Sequence, residues 1–415
     1  MEKIEELKKE YEEYKARNLK LDMSRGKPSK EQLNLSIELM DVLNSSSDLN
    51  DESGVDCRNY GILDGIPECK RLMGEMMEIP EENLIIYGNS SLNVMYDVVS
   101  HAYTHGVMGN IPWCKLDGKV KFICVVPGYD RHFAITEHFG FENICVPMLE
   151  DGPDMDMVEK LVNEDEMVKG IWCVPKYSNP TGNSYSDDVV RRFAKLKPAA
   201  KDFRIFWDNA YCIHHLYDDN QDIILELIEE CAKEGNPDMV YKFASTSKVT
   251  FPGSGVAVLG ASRANIDDIK ASLKFQTIGH DKINQLRHAR YFSGVESLHE
   301  HMKKHADILR PKFEMVDKIL SEELGELKEK GLVSWTTPKG GYFISFNAPE
   351  GTAKKVVKMC ADAGVKLTSA GATYPYGKDP RDSNIRIAPS LPPVEELKTA
   401  TLLLCLCTKI AAAES

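Results

Sequence analysis

The sequence predicts an α/β protein: a large domain with a mainly parallel sheet flanked by helices, plus a smaller α/β domain. Three observations carry this. Between about residues 60 and 310, short apolar runs alternate with stretches of helical periodicity, the pattern of a parallel sheet covered on both faces. A long helical stretch, 286–328, then leads out to a second and shorter set of strand-like runs. The 415 residues also exceed what one hydrophobic core usually serves.

The elements follow in chain order. Residues 1–20 set Ile4, Leu7, Tyr11 and Tyr14 at helical spacing among charges, an amphipathic helix with a solvated face. Ser24-Arg25-Gly26-Lys27-Pro28 ends it in a turn. Strands are expected at 84–87, 121–126, 143–146, 170–174, 204–207, 239–243 and 255–260, with a helix over 94–103. Beyond the long helical stretch, 333–336, 341–347, 365–368 and 384–387 read as strands of the smaller domain. The expected division is 1–54 as an N-terminal segment joining the small domain, 55–310 as the large domain and 311–415 as the small one.

A formal net charge of −13 argues against nucleic acid or anionic membrane as the main partner. The eleven cysteines are scattered, with no Cys-x-x-Cys pair of metal-site spacing, so no metal site is expected. Cys124, Cys145 and Cys173 sit in apolar runs, where buried reduced thiols are the expected state. The N-terminus is charged and lacks the apolar core of a signal peptide, and no apolar run reaches spanning length. A cytoplasmic protein is expected.

Chemistry concentrates in Phe243-Ala244-Ser245-Thr246-Ser247-Lys248-Val249-Thr250-Phe251-Pro252-Gly253-Ser254-Gly255, a strand running into a tight loop that holds one lysine at its mouth. Crowded by apolar groups, a lysine amine loses its proton and becomes a nucleophile able to form a Schiff base. Two upstream stretches also place polar groups at strand ends, where open α/β sheets bind ligands: Pro175-Lys176-Tyr177-Ser178-Asn179-Pro180-Thr181-Gly182 and Phe203-Arg204-Ile205-Phe206-Trp207-Asp208-Asn209-Ala210-Tyr211.

The ordered set Asn-Pro-Thr-Gly, Asp-x-x-Tyr and Ser-x-Ser-Lys resembles the fold-type I aminotransferases, which use pyridoxal phosphate, and the resemblance runs from about Ser24 to Pro389. It implies catalytic roles for Lys248, Asp208 and Tyr211: Lys248 as the Schiff-base lysine that also moves a proton at the substrate Cα, and Asp208 as the partner of the cofactor's pyridine nitrogen. Tyr211 and Asn179 would hydrogen-bond the phenolic oxygen, and Tyr129 would stack on the ring. Asn89 and Ser90, opening a helix after a strand, would cradle the phosphate, joined by Ser245 and Ser247. Asn59-Tyr60-Gly61 resembles the segment whose tyrosine reaches the other subunit's cofactor, so a homodimer with a shared site is implied.

Arg386, between Ile385 and Ile387, would clamp the substrate α-carboxylate with help from the Gly26 backbone N–H. Pro338-Lys339-Gly340-Gly341-Tyr342-Phe343 resembles the small-domain strand near the substrate. The chain departs from the family where an arginine usually follows the Pro-Gly turn. That position is Gly255, with Ser247 and Ser254 as hydroxyls that compensate or a basic group arriving from elsewhere.

Within the superfamily, the Ser24-Arg25-Gly26-Lys27-Pro28 start, the Tyr60-Gly61-Ile62-Leu63-Asp64-Gly65 run and the run from Phe251 resemble a bacterial subgroup of aspartate aminotransferases, acting on aspartate and 2-oxoglutarate. Arg25, Lys27, Arg131 and His132 are candidates for a second substrate carboxylate by charge and location. An aminotransferase for aromatic or other amino acids stays open, as does a pyridoxal phosphate C–S lyase, which uses the same lysine and aspartate. A ligand-sensing regulator on this fold is not expected, because no basic DNA-binding segment precedes Ser24.

Overall fold

The structure, a computed structural model, describes residues 2–414. Its centre is an eight-stranded sheet in the order Leu84–Ile86, Ala257–Ala261, Val240–Ser245, Arg204–Asp208, Val168–Cys173, Lys121–Val126, Glu142–Leu149, Gly152–Pro153. The five strands from Val240–Ser245 through Glu142–Leu149 are mutually parallel. Ala257–Ala261 runs antiparallel to Val240–Ser245, and Leu84–Ile86 runs antiparallel to it in turn. The double reversal brings the C-terminal end of Leu84–Ile86 to the same sheet edge as the C-terminal ends of the parallel strands.

Both faces are buried, which is why the strands read as apolar runs. Phe122 and Cys124 pack on one face with residues of the helices Ser91–His105 and Arg263–Gln276. Ile123 and Val125, pointing oppositely, pack with Met155–Glu164 and Asp187–Ala194. The expected strands all form, shifted by a few residues at their ends.

The helix Val295–Glu329 runs unbroken across the expected junction at 310, and its side chains enter two cores: Leu298 and Met302 join a large-domain cluster, Leu309 and Phe313 a second cluster. That second cluster holds Phe346, Ile385 and Ile387 of a three-stranded antiparallel sheet together with Tyr14 and Met23. The N-terminal segment docks here: Leu21–Asp22 pairs in parallel with Val365–Lys366, and Tyr11 donates its hydroxyl to the Met359 carbonyl. The chain leaving that short strand carries residues 24–27 to the space between the two parts.

Candidate active site

A cavity of about 490 Å³ opens at the C-terminal edge of the parallel strands. Its walls come from the N-terminal turn (Gly26), the large sheet (Asn179, Asp208, Lys248) and the small domain (Phe343, Arg386). Ser90, Tyr129, Tyr211, Ser245 and Ser247 also line it, so most of the expected site residues converge here.

Lys248 sits in the loop after Val240–Ser245. The Thr246 carbonyl accepts from the N–H groups of Val249 and Thr250, both at 2.9 Å, which fixes the loop around the lysine. Its Nζ lies 5.0 Å from the Tyr211 ring centre and 5.7 Å from that of Tyr342. Lys248 keeps contact with the cavity, but its amine is deep among protein atoms. Burial pulls its pKa below 10.5, and the Asp208 charge pulls the other way. His214 adjoins both tyrosine rings, and burial, then the Lys248 charge, holds it well below the usual histidine value. The lysine therefore has a neutral neighbour rather than a second cation.

Asp208 ends its strand with 2 % exposure. Its Oδ2 lies 2.8 Å from His132 Nε2, while Oδ1 is buried with no hydrogen-bond partner. A buried carboxylate oxygen left open is costly, so this one is set to meet a donor that enters the cavity. His132 stacks on Trp172 with ring centres 4.6 Å apart. It is 1 % exposed, behind Asp208 and off the cavity wall, which overturns its candidacy for a second substrate carboxylate.

Ser90 is the N-cap of Ser91–His105, yet its hydroxyl makes no capping bond and stays free for an anion. Ser91 and Leu92, which follow it, line the cavity as well. Ser245 donates to Ser247 at 3.0 Å, and Ser247 donates to the Asn89 carbonyl at 3.1 Å. Asn89 itself turns away: its amide donates to the Pro252 carbonyl and the residue is not on the cavity wall. The role expected of Asn89 uses its backbone N–H, which the turning away of its side chain leaves unaffected.

Gly255 is explained by crowding. A Cβ there would lie 2.9 Å from Thr246 Oγ1, which is pinned by accepting the Val256 N–H. A larger residue there, arginine included, must displace the Thr246 hydroxyl from the bond that braces this loop.

Arg386 lies on Asn384–Ile387 and is 6 % exposed. Its Nη1 donates to Asp130 Oδ1 at 2.8 Å and to Asn179 Oδ1 at 3.3 Å, and the Phe343 ring centre is 4.9 Å from the guanidinium carbon. Phe343 in turn packs on Gly26, where a Cβ would meet its ring at 2.5 Å. Tyr60 is 82 % exposed and away from this chain's own cavity.

Sequence reasoning missed Asp130, His214 and Lys366, none of which carries a local signal, whereas Tyr342 lies in the Pro338–Phe343 stretch expected near the substrate.

The family model described as aspartate amino-transferase matches residues 2–415. An aspartate aminotransferase of Corynebacterium glutamicum is 46% identical over 411 residues, covering 99% of this chain and 94% of that protein. The crystal structure of an aspartate transaminase from the same organism superposes with a TM-score of 0.95 at 46% identity, covering 99% of this chain and 96% of that one. An α-aminoadipate aminotransferase from Thermus thermophilus shares the fold at 19% identity, with a TM-score of 0.76 over 97% of this chain and 96% of that one.

Proposed function

The chain belongs to the aspartate amino-transferase family and is an aminotransferase, and on that footing we propose that it uses pyridoxal phosphate to move an amino group between an amino acid, aspartate foremost, and 2-oxoglutarate. The observation that carries this reading is the shared cavity wall of Lys248, Asp208 and Arg386.

The residues present fit the cofactor. Ser90, Ser245, Ser247 and the N-terminus of Ser91–His105 offer donors to a phosphate. The open Asp208 Oδ1 suits a protonated ring nitrogen, and the Tyr211 hydroxyl and Asn179 amide suit a phenolic oxygen. When bound, pyridoxal phosphate supplies an electron sink for the pair released at the substrate Cα. Lys248, with its amine held toward the neutral form, would hold the cofactor and would take and return the proton at the substrate Cα. Asp208 would hold the ring nitrogen in its protonated form, and His132 fixes the carboxylate placed to do so. Arg386 binds the α-carboxylate, with Phe343 and Asn179 holding its plane.

Charge favours a dicarboxylic substrate. Arg25, Lys27, Arg131 and Lys366 line the cavity and form no ion pair among the described residues. In a chain of net charge −13, such a positive concavity concentrates dianions. Tyr60 is read as a contribution to the site of a second copy in a homodimer. The setting is read as the cytoplasm, which keeps buried thiols such as Cys69, Cys124 and Cys173 reduced.

The test is a donor panel with purified protein loaded with pyridoxal phosphate. Aspartate consumption that requires 2-oxoglutarate and yields glutamate one for one supports the reading. Turnover without a keto acid points to a lyase, and faster turnover of aromatic donors points to an aromatic aminotransferase.

A further inference from the structure

Arg386 already holds a carboxylate. Asp130 Oδ1 is 2.8 Å from its Nη1, while Nε of the same guanidinium is buried without a partner. The two residues come from different parts of the fold. Asp130 opens the helix Asp130–His138 beside the large sheet, and Arg386 sits on a small-domain strand. Their burial is unequal: the Arg386 side chain is 6% exposed and that of Asp130 32%. Asp130 can turn toward water at little cost, whereas the guanidinium cannot. Among the described residues Asp130 makes no other side-chain hydrogen bond or ion pair, so its side chain is tethered by Arg386.

We propose that Asp130 is a built-in competitor for the carboxylate clamp, occupying Arg386 in the resting protein and giving way to the substrate's α-carboxylate. This rests on the reading of Arg386 as that clamp. A sheltered guanidinium left without an anion is strongly unfavourable, and Asp130 removes that cost between turnovers. In exchange, any ligand must displace an ion pair to enter. A carboxylate restores the charge pairing and can engage both Nη and Nε, which Asp130 does not. An amide or ester restores neither. Asp130 thus lowers the affinity of every ligand that must displace it, and a free carboxylate is the ligand that regains the lost pairing.

The holoenzyme and maleate, an unreactive dicarboxylate, provide the test by titration calorimetry on wild type, Asp130→Asn, Arg386→Gln and the double variant. Asp130→Asn keeps the shape and removes the charge, so maleate should bind on the order of tenfold more tightly or better. In the Arg386→Gln background the same change should gain nothing. An Asp130→Ala variant, which cannot hydrogen-bond, should shift affinity in the same direction as Asp130→Asn. Unchanged or weaker binding in both Asp130 variants, with maleate still lost in Arg386→Gln, overturns the proposal and leaves the clamp standing. Maleate binding indifferent to Arg386→Gln removes the clamp reading, and the proposal with it.

Discussion

His132 Nε2 lies 2.8 Å from Asp208 Oδ2 with both side chains buried, so one carboxylate oxygen is committed to protein and the other is left open. The arrangement orients Asp208 and keeps one acceptor for the cavity. His132→Phe retains the stack on Trp172 and loses the bond. A hydrogen bond to a charged group contributes about 1.5–3 kcal/mol. Turnover is therefore expected to fall on the order of ten- to a hundredfold, with cofactor affinity reduced and KM for amino acids little changed. Steady-state kinetics with a cofactor titration checks this, and a variant that turns over like wild type would make His132 a packing residue only.

Gly26 is expected to accept no side chain. The Cβ of Gly26→Ala would meet Phe343 Cζ at 2.5 Å, and Phe343 covers Arg386. Overpacking of this kind costs about 1–3 kcal/mol. The ring must shift, so KM should rise several-fold for every amino-acid donor alike, alongside a lowered Tm. Adding Phe343→Leu, which frees space, should restore part of the Tm without restoring KM. A Gly26→Ala protein with unaltered Tm and KM would contradict the close packing.

Much of this site was legible because its signals are local. Lys248, Asp208 and Asn179 each follow an apolar run, and a buried parallel strand announces both itself and its C-terminal end. What depends on facing was not legible. Apolar periodicity gives a strand no direction, so the antiparallel setting of Ala257–Ala261 left no mark in the sequence. His132 was read as a substrate contact by its charge, yet in Asp130–His138 it shares the buried side with Phe133 and Thr136 and meets Asp208 from behind. Asp130, one helical step away from a tyrosine singled out for stacking, gave no sign of its partner 256 positions on. The unbroken helix Val295–Glu329 carries no break at residue 310 because its periodicity serves two cores in succession.

Tyr60 is expected to complete a neighbouring copy's site. It is 82% exposed, and the chain near it is held in place: Lys282 Nζ donates to the Gly61 carbonyl, and Gly279 packs on the carbonyls of Gly61 and Ile62, with Ile278 60% exposed beside it. Tyr60→Ala and Lys248→Ala proteins should each be nearly inactive. Mixed under conditions that allow subunit exchange, they should recover up to about a quarter of wild-type activity, because half the dimers are hybrid and each hybrid has one intact site, the expected pairing statistics of a two-fold dimer. No recovery despite demonstrated exchange would confine Tyr60 to its own chain.

Lys248 should betray its burial through pH. Its folded pKa lies below 10.5, chiefly because burial disfavours the charged amine, with Asp208 opposing. Above 10.5 the amine is neutral in folded and unfolded protein alike, and the group costs no stability. As pH falls through the window beneath that value, the unfolded chain takes the proton first and gains on the folded state. Below the folded pKa both are protonated and the penalty is complete. Lys248→Met, similar in shape and uncharged, should therefore make the cofactor-free protein more stable than wild type near neutral pH. The difference should shrink steadily as pH rises toward 10.5, as followed by urea unfolding. In parallel, an amine-reactive reagent small enough to enter the cavity should label Lys248 at a lower pH than it labels a free lysine side chain in solution. A stability difference that is flat with pH would mean that the amine is hydrated, and the neutral nucleophile assigned to Lys248 would lose its physical basis.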